Sequence, residues 1–166
     1  MSTRHCIIDT ALGELTLVAA NDTLIGIYFP GHWHLPKDTD FGPLVACPDD
    51  ALFTEVSTQL AEYLAGGRAD FELPIALHGS DAQRRIWTLL TEIPYGETVT
   101  YGELAAALGD TGAWEVGQAV GRNPISIVVP CHRVVGKDGK LTGYAGGLAR
   151  KRLLLEREEP QPSRLF

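Results

Sequence analysis

Cys131 is the residue whose neighbours point most clearly to chemistry. It follows Pro130 at the end of an apolar run and precedes His132 and Arg133. A free thiol has a pKa of about 8.5 and is mostly protonated at neutral pH, so a neighbouring base or cation is needed to make it a nucleophile. The pattern predicts an activated cysteine, although a lone cysteine is more often buried and packs as a small hydrophobic side chain.

Other chemistries fit the spacing less well. An adjacent cysteine and histidine are not spaced as zinc ligands, and the C-terminal half holds no second pair. The remaining candidates for a metal site are irregularly spaced and are interpreted as scattered surface residues: Cys6, His32, His34 and His78. A cysteine hydrolase is disfavoured because adjacent side chains rarely face each other and no oxyanion-hole motif is evident. We expect no metal and no other cofactor.

Helices and a buried run position Cys131 in the second half. Ser80 or Asp81 is predicted to cap a helix that ends at residues 94–96, and the apolar run 125–129 is predicted to be buried. A last helix is predicted from about Leu148 to Glu158. Its inward positions are Leu148, Leu154 and Leu155, and its outer basic cluster is Arg150, Lys151 and Arg152.

Two short helices lie between these elements. Thr100 and Glu103 have the spacing of a capping box, in which two backbone donors are satisfied reciprocally at a helix start. A glycine-containing turn at residues 109–112 separates this helix from a second one, from Ala113 to about Arg122. The pair indicates a helix-turn-helix, although structural αα-corners show the same pattern.

The first half is typical of a small sheet with a helix. Short β-branched runs with turn residues between them predict strands at residues 7–8, 15–18 and 24–29. Residues 30–48 form a loop, and Asp49 or Asp50 caps a helix that ends at the glycines 66–67. Residues 71–77 are a further strand or the start of a linker. The fold class is α+β, with a three-stranded antiparallel sheet before a mostly helical part.

The charge is unevenly distributed along the 166 residues. The formal net charge of −7 argues against a nucleic-acid partner, but residues 1–81 carry −9, residues 82–157 carry +3 and residues 158–166 carry −1. The acidity lies in the first half, so charge does not exclude DNA. Three cysteines at unrelated spacings predict no disulfide framework, and no signal peptide or membrane-spanning run is present. We expect a protein of a reducing compartment.

The second half resembles a specific family, the O6-alkylguanine-DNA alkyltransferases. The resemblance is strong over residues 80–158 and loose before them. The segments that carry it are Asn123-Pro124, Pro130-Cys131-His132-Arg133-Val134, Gly143-Tyr144-Ala145-Gly146-Gly147, Lys151-x-x-Leu154-Leu155-x-x-Glu158 and the upstream stretch 93–105. It implies a ribonuclease-H-like domain at residues 1–77 and a DNA-binding and alkyl-transfer domain at 78–166, with a helix-turn-helix and an active-site loop.

The resemblance implies a single-turnover repair reaction. The damaged base leaves the duplex, and the Cys131 thiolate takes the alkyl group from guanine O6 and keeps it. His132 is expected to remove the thiol proton through a water, oriented by Glu158. Asn123 is expected to brace the active-site turn. Alternatively, or in addition, it ends the preceding helix in a left-handed conformation. Tyr101 contacts the base and gives the leaving guanine a proton, the alternative being a tyrosine packed on the core.

Substrate recognition is also implied by the resemblance. The backbone carbonyls of Cys131 and Val134 are expected to bind the exocyclic amine, and the backbone amide of Ala145 the O6 atom. Tyr144 belongs to the same wall, and Gly146 lets the loop lie close over the ligand.

The chain departs from the family where an arginine normally enters the duplex. Trp114 stands at that position and Glu115 follows it. An indole can act as a stacking wedge, whereas a carboxylate facing the groove would oppose phosphate. The predicted DNA-contacting residues are Ala113, Trp114, Gly117, Arg122 and Arg133, with Arg84, Arg85, Arg150, Lys151 and Arg152 as further cations that face phosphate. Ala82 stands where family members have a phenylalanine, and this difference affects packing more than function.

Two functions therefore remain open at this point. The first is a working alkyltransferase, a cytoplasmic monomer that acts on double-stranded DNA carrying O6-alkylguanine, with O4-alkylthymine as a second possible substrate. The second is a lesion-binding or regulatory relative with weakened DNA binding. The presence of Cys131 favours the first.

Overall fold

Three antiparallel strands form the N-terminal sheet. The computed structural model describes residues 2–32, 38–109 and 111–159. Strands β1 (Thr3–Thr10), β2 (Gly13–Ala20) and β3 (Thr23–Tyr28) pair in chain order, as predicted. The chain turns between β2 and β3 at residues 21–22, where Asn21 adopts a φ of 53°, which asparagine tolerates better than most residues. His34 and the other loop residues at 33–37 lie outside the described part.

Helix α1 (Ala51–Leu64) packs on this sheet. The Asp50 carboxylate accepts a hydrogen bond from the Phe53 backbone N–H at 3.2 Å, so the predicted cap is confirmed. The side chains that α1 buries completely are Phe53, Val56, Leu60 and Tyr63. They share one core with Leu15 and Leu17 of β2, which explains the 3.6-residue spacing of these positions.

A disulfide joins Cys6 and Cys47, contrary to the prediction from the cysteine count and spacing. It connects β1 to a short 3-10 helix, Cys47–Asp49, across a sequence separation of 41. The prediction was wrong because an odd cysteine count does not reveal which two side chains the fold brings together. The expectation of a reducing compartment was based on the absence of disulfides, so it loses that support. His32 is buried as well, so Cys6 and His32 are not surface residues. Cys131 is the free thiol.

Residues 71–77 form an extended linker rather than a regular strand. The Leu24 backbone N–H donates to the Pro74 carbonyl at 2.8 Å, and the Ala76 N–H donates to the Leu24 carbonyl at 3.0 Å. These two bonds form an isolated bridge between Leu24 and Ile75 beside β3. The linker therefore crosses the edge of the sheet on its way to the second half.

Four helices build the C-terminal part: α2 (Asp81–Leu90), α3 (Tyr101–Leu108), α4 (Ala113–Gly121) and α5 (Leu148–Glu158). Ser80 and Thr100 each form a complete capping box, with Gln83 and Glu103 respectively. Two short parallel strands, β4 (Val99–Thr100) and β5 (Val134–Val135), connect the start of α3 to the segment after Cys131. The α+β class is confirmed.

The orientation predicted for α5 was partly wrong. Leu154 is fully buried as expected, but Leu148 is 44% exposed, and Lys151 is fully buried instead of facing solvent. Arg150 is half-buried, donates to the Leu12 and Gly146 carbonyls and lies over the Phe29 ring. Helical spacing alone could not show that backbone from two other segments covers this side of the helix.

The two halves share one hydrophobic core. The Ile27 backbone N–H in β3 donates to the Pro124 carbonyl at 2.9 Å, directly before the buried run that leads to Cys131. In the second half, the Trp87 indole N–H donates to the Ala119 carbonyl at 2.7 Å and ties α2 to α4. Among the described residues, no helix combines the length and the apolar character needed to cross a bilayer.

Candidate active site

Cys131 begins a short 3-10 helix, Cys131–Arg133, at the end of the buried run 125–129. Asn123 holds this run in place: its amide Nδ2 donates to the Val129 carbonyl at 2.8 Å, and its Oδ1 accepts from the Ile125 N–H at 3.1 Å. Between them, Ile127 adopts a φ of 74°, which a β-branched residue rarely does. These contacts match the bracing role predicted for Asn123, whereas the left-handed conformation considered for it is absent.

A cavity of about 450 Å³ opens onto Cys131. Residues from α3, α4 and the loop before α5 line it, among them Tyr101, Ala113, Trp114, Gly117, Tyr144 and Ala145. The volume is that of a site for one small ligand. The cysteine is only 3% exposed, and burial raises the pKa of its thiol above the ordinary value. The thiol needs a base before it can act as a nucleophile.

His132 has the hydrogen-bonding pattern of such a base. Its Nε2 lies 2.7 Å from the Glu158 carboxylate Oε2. Because a carboxylate only accepts, Nε2 carries the proton, and the lone pair is on Nδ1. Nδ1 is buried and has no hydrogen-bond partner among the described residues. Burial lowers the pKa of His132, which keeps the ring neutral and able to take a proton.

Glu158 is the centre of a buried polar network. Arg133 donates from Nε to Oε1 at 2.8 Å and from a terminal nitrogen to Oε2 at 3.0 Å, forming a two-pronged ion pair. The Tyr63 hydroxyl also donates to Oε2. Burial alone would raise the pKa of Glu158, but the hydrogen bonds from His132, Arg133 and Tyr63 outweigh it and lower the pKa to about 2. The carboxylate therefore stays ionised.

Two members of this network differ from the sequence prediction. Arg133 was predicted to contact DNA, but it is 6% exposed and also donates to the Ile93 carbonyl at 2.6 Å, so its charge is used inside the protein. Tyr63 was not among the predicted site residues. Its helical spacing gave no sign that the hydroxyl would reach a carboxylate 95 residues away.

Two tyrosines line the cavity as predicted. The Tyr101 hydroxyl accepts a hydrogen bond from Thr142 at 3.2 Å, and its ring is half-buried beside Gly117. Burial raises the pKa of Tyr101, so the hydroxyl keeps its proton at neutral pH. Tyr144 is 3% exposed, and its hydroxyl has no hydrogen-bond partner among the described residues. Both rings present an O–H group near Cys131.

Val134 and Gly146 are not part of the cavity wall, contrary to the prediction. The Val134 carbonyl accepts a hydrogen bond from the Lys151 ammonium at 2.6 Å. A Cβ on Gly146 would lie 2.5 Å from the Phe29 ring, so this glycine allows the loop to pack closely on the N-terminal part. Ala145 does line the cavity.

The outer rim of the cavity is exposed and carries the unusual tryptophan. Trp114 is 73% exposed near the start of α4, and Ala113 and Glu115 beside it are also exposed. Trp114 borders both the cavity and a neighbouring groove that contains Arg122. The predicted cations Arg84, Arg85, Arg122 and Arg152 are exposed. The other three predicted cations differ: Lys151 and Arg133 are buried, and the Arg150 guanidinium donates hydrogen bonds to two backbone carbonyls.

Family models match both parts of the chain. Residues 4–77 match the ribonuclease-like domain of 6-O-methylguanine DNA methyltransferase, and residues 81–160 match its DNA-binding domain. A methylated-DNA–protein-cysteine methyltransferase of Mycobacterium tuberculosis is 44% identical over 153 residues, which is 92% of this chain and 90% of the relative. One of Methanosarcina barkeri is 52% identical over 108 residues, covering 64% of this chain and 68% of the relative.

Solved structures give the same result. The crystal structure of Mycobacterium tuberculosis OGT in complex with DNA has a TM-score of 0.83 and 43% identity, and the match covers 94% of this chain and 92% of that one. An O6-methylguanine DNA methyltransferase from Methanococcus jannaschii has a TM-score of 0.69 and 27% identity, with 96% of each chain covered.

Proposed function

The chain belongs to the 6-O-methylguanine DNA methyltransferase family, and from this premise we propose that Cys131 is the residue that accepts the alkyl group. The reaction is DNA repair by transfer of an alkyl group from O6-alkylguanine to a cysteine of the protein itself. The product is a thioether that no group at the site reverses, so each molecule works once.

Activation of the thiol begins with His132. Its Nδ1 lone pair has no partner among the described residues, and Glu158 holds the opposite nitrogen. The Cys131 proton passes through a water to Nδ1, and the imidazolium is stabilised by the ionised Glu158. Arg133 and Tyr63 keep that carboxylate oriented. This arrangement of nucleophile, base and orienting group is the observation that carries the proposal.

Alkyl transfer then follows as a single displacement. The Cys131 sulfur attacks the alkyl carbon, the sulfur–carbon bond forms as the bond from that carbon to O6 breaks, and the electron pair stays on guanine. The Tyr101 hydroxyl, which keeps its proton because its pKa is raised, gives that proton to the leaving base. The Ala145 backbone amide faces O6, and the Cys131 carbonyl accepts from the exocyclic amine. The Tyr101 oxygen then recovers a proton from the His132 imidazolium through solvent, so the net change is transfer of the alkyl group to sulfur and of the thiol proton to guanine.

The damaged base must leave the duplex to reach the buried thiol. Cys131 is only 3% exposed and lies at the end of a cavity, so a base that stays stacked in the duplex does not reach its thiol. We assign α3 and α4 to the helix-turn-helix, with Trp114 as an aromatic wedge that fills the place of the extruded nucleotide. Glu115 opposes phosphate, so insertion of the wedge contributes more to binding than a broad basic surface does.

The remaining assignments follow from the same reaction. The proposal places a ribonuclease-like domain at residues 1–77 and a DNA-binding and alkyl-transfer domain at 78–166, in a monomer that works in the cytoplasm. A lesion-binding or regulatory protein is less well supported, because Cys131 is present with its base.

A mass measurement tests the proposal. Wild-type protein is incubated with an oligonucleotide containing one O6-methylguanine, and the intact mass is expected to rise by one methyl group per molecule. Unmodified DNA and the Cys131→Ser variant are the controls, and neither should give an adduct. Folded wild-type protein that remains unmodified while binding the damaged DNA would favour the lesion-binding alternative instead.

A further inference from the structure

Arg150 joins backbone from the two halves of the molecule at one point. Its side chain is half-buried in the first turn of α5. Its Nε donates to the Leu12 carbonyl at 3.0 Å, in the turn between β1 and β2, and a terminal nitrogen donates to the Gly146 carbonyl at 3.0 Å, just before α5. The guanidinium carbon also lies 4.9 Å from the centre of the Phe29 ring. The mechanism above gives this side chain no part.

The Gly146 carbonyl belongs to a β-turn that forms one wall of the cavity. The Gly147 N–H donates to the Tyr144 carbonyl at 2.9 Å, which places Ala145 and Gly146 at the two central positions of the turn. Tyr144 and Ala145 line the cavity. The bond that closes the turn does not use the Ala145 N–H, which is the group that the proposed reaction assigns to O6.

Two contacts hold the back of this turn. Gly146 packs so closely on Phe29 that a Cβ would lie 2.5 Å from the ring, and Phe29 itself is buried against the N-terminal half. The bond from Arg150 fixes the Gly146 carbonyl, while the bond to Leu12 ties the guanidinium to the sheet. Leu12 and Gly146 are both buried, so loss of the guanidinium removes a donor from two carbonyls that water does not readily reach. The N-terminal half therefore sets the position of the turn.

We propose that Arg150 is a positioning residue for alkyl transfer, which holds the turn at residues 144–147 against the N-terminal half so that the Ala145 N–H faces O6. The proposal rests on the function assigned to Cys131. Arg150 contacts neither DNA nor the reacting atoms, and no proton passes through it. Negative charge develops on guanine as its bond to the alkyl carbon breaks, and a donor that is held in place beforehand stabilises this charge without reorganisation.

Two other roles for Arg150 make different predictions. A contact with DNA phosphate would contribute to affinity and to its salt dependence, but not to the rate of transfer once DNA is saturating. A purely structural connection between the two halves would contribute to the free energy of unfolding alone. A positioning role is distinguished from both by a lower rate of transfer at saturating DNA.

Three variants test these roles. Arg150→Met keeps an apolar chain over Phe29 and removes both donors, and Arg150→Lys keeps the charge with an ammonium that has no planar fork to bridge two carbonyls. Arg157→Met is the matched control, because it removes one positive charge from an exposed arginine near the end of the same helix.

Three quantities are measured for each variant. The first is the single-turnover rate constant of methyl transfer at saturating O6-methylguanine duplex, and the second is the Kd for that duplex at several salt concentrations. The third is the rate of reaction of the thiol with iodoacetamide without DNA, which reports on Cys131 because it is the free cysteine of the three. Urea unfolding of each variant accompanies them.

We expect Arg150→Met to lower the rate constant at saturating DNA about tenfold, part of the roughly 100-fold or more that one well-placed donor contributes. Arg150→Lys should fall between Arg150→Met and wild type. The Kd, its salt dependence and the iodoacetamide rate should match wild type in both variants, since the network of His132 and Glu158 is unchanged. Arg157→Met should match wild type in all three quantities.

Three results would overturn the proposal. One is a wild-type rate constant in Arg150→Met, with or without a loss of stability in urea. Another is a higher Kd with a weaker salt dependence and an unchanged rate constant, which would make Arg150 a phosphate contact. The third is an equal fall of the transfer and iodoacetamide rates, which would show a general disturbance around Cys131. Failure of wild-type protein to accept methyl from DNA would instead refute the function assigned to Cys131.

Discussion

Replacement of Glu158 by glutamine should remove a defined part of the protein's sensitivity to acid. The network of His132, Arg133 and Tyr63 lowers the pKa of Glu158 from 4.5 to about 2. A group whose pKa is lowered by folding stabilises the protein above the unfolded pKa, and this contribution is lost as the pH falls towards the folded pKa. The difference between the unfolded and folded pKa of Glu158 contributes about 3 kcal/mol to the free energy of unfolding at neutral pH. About 2 kcal/mol of this contribution is lost between pH 7 and pH 3.

Urea unfolding of wild type and Glu158→Gln at several pH values between 7 and 3 measures this contribution. The variant should be less stable than wild type at pH 7, because Arg133 loses its buried partner. The difference between the two proteins should shrink by about 2 kcal/mol on going to pH 3, since other carboxylates affect both proteins equally. A stability difference that stays constant with pH would refute the assignment of Glu158 as an ionised carboxylate stabilised by the fold.

Two further predictions concern Trp114 and Gly146. Trp114→Arg should bind duplex DNA more tightly and with a steeper salt dependence, because one more cation meets phosphate; an unchanged salt titration would show that this position does not enter the groove. Gly146→Ala should lower the free energy of unfolding by about 1–3 kcal/mol, because its Cβ would lie 2.5 Å from the Phe29 ring. Urea unfolding tests this, and an unaltered midpoint would contradict the packing role of Gly146.

Local signals in the sequence predicted local structure well. The caps at Asp50 and Ser80, each one of two predicted cap residues, and the predicted capping box at Thr100 depend on residues within three positions of one another, and all three form. Short β-branched runs separated by turn residues also predicted the three strands, and one face of the sheet that they form is buried against α1. These features need no knowledge of distant contacts.

The failures at Lys151, Arg133 and Tyr63 involve residues brought together from distant parts of the chain. Helical spacing placed Lys151 on a solvent face, since it could not show that the Val134 carbonyl lies against that side. Arg133 was assigned to DNA because Glu158, its partner, is 25 residues away. Tyr63 was missed for the same reason. The family resemblance supplied the catalytic motif, but the motif does not encode which of its charges the fold buries.

The most direct test of the account is to locate the methyl group after reaction. Wild-type protein is mixed with O6-methylguanine DNA in excess, digested with a protease and mapped by tandem mass spectrometry. The account predicts one methyl group per molecule on the peptide that contains Cys131, attached to its sulfur, with Cys6 and Cys47 unmodified in their disulfide. A methyl group on another residue, or unmodified Cys131 in protein that has removed the lesion, would contradict it.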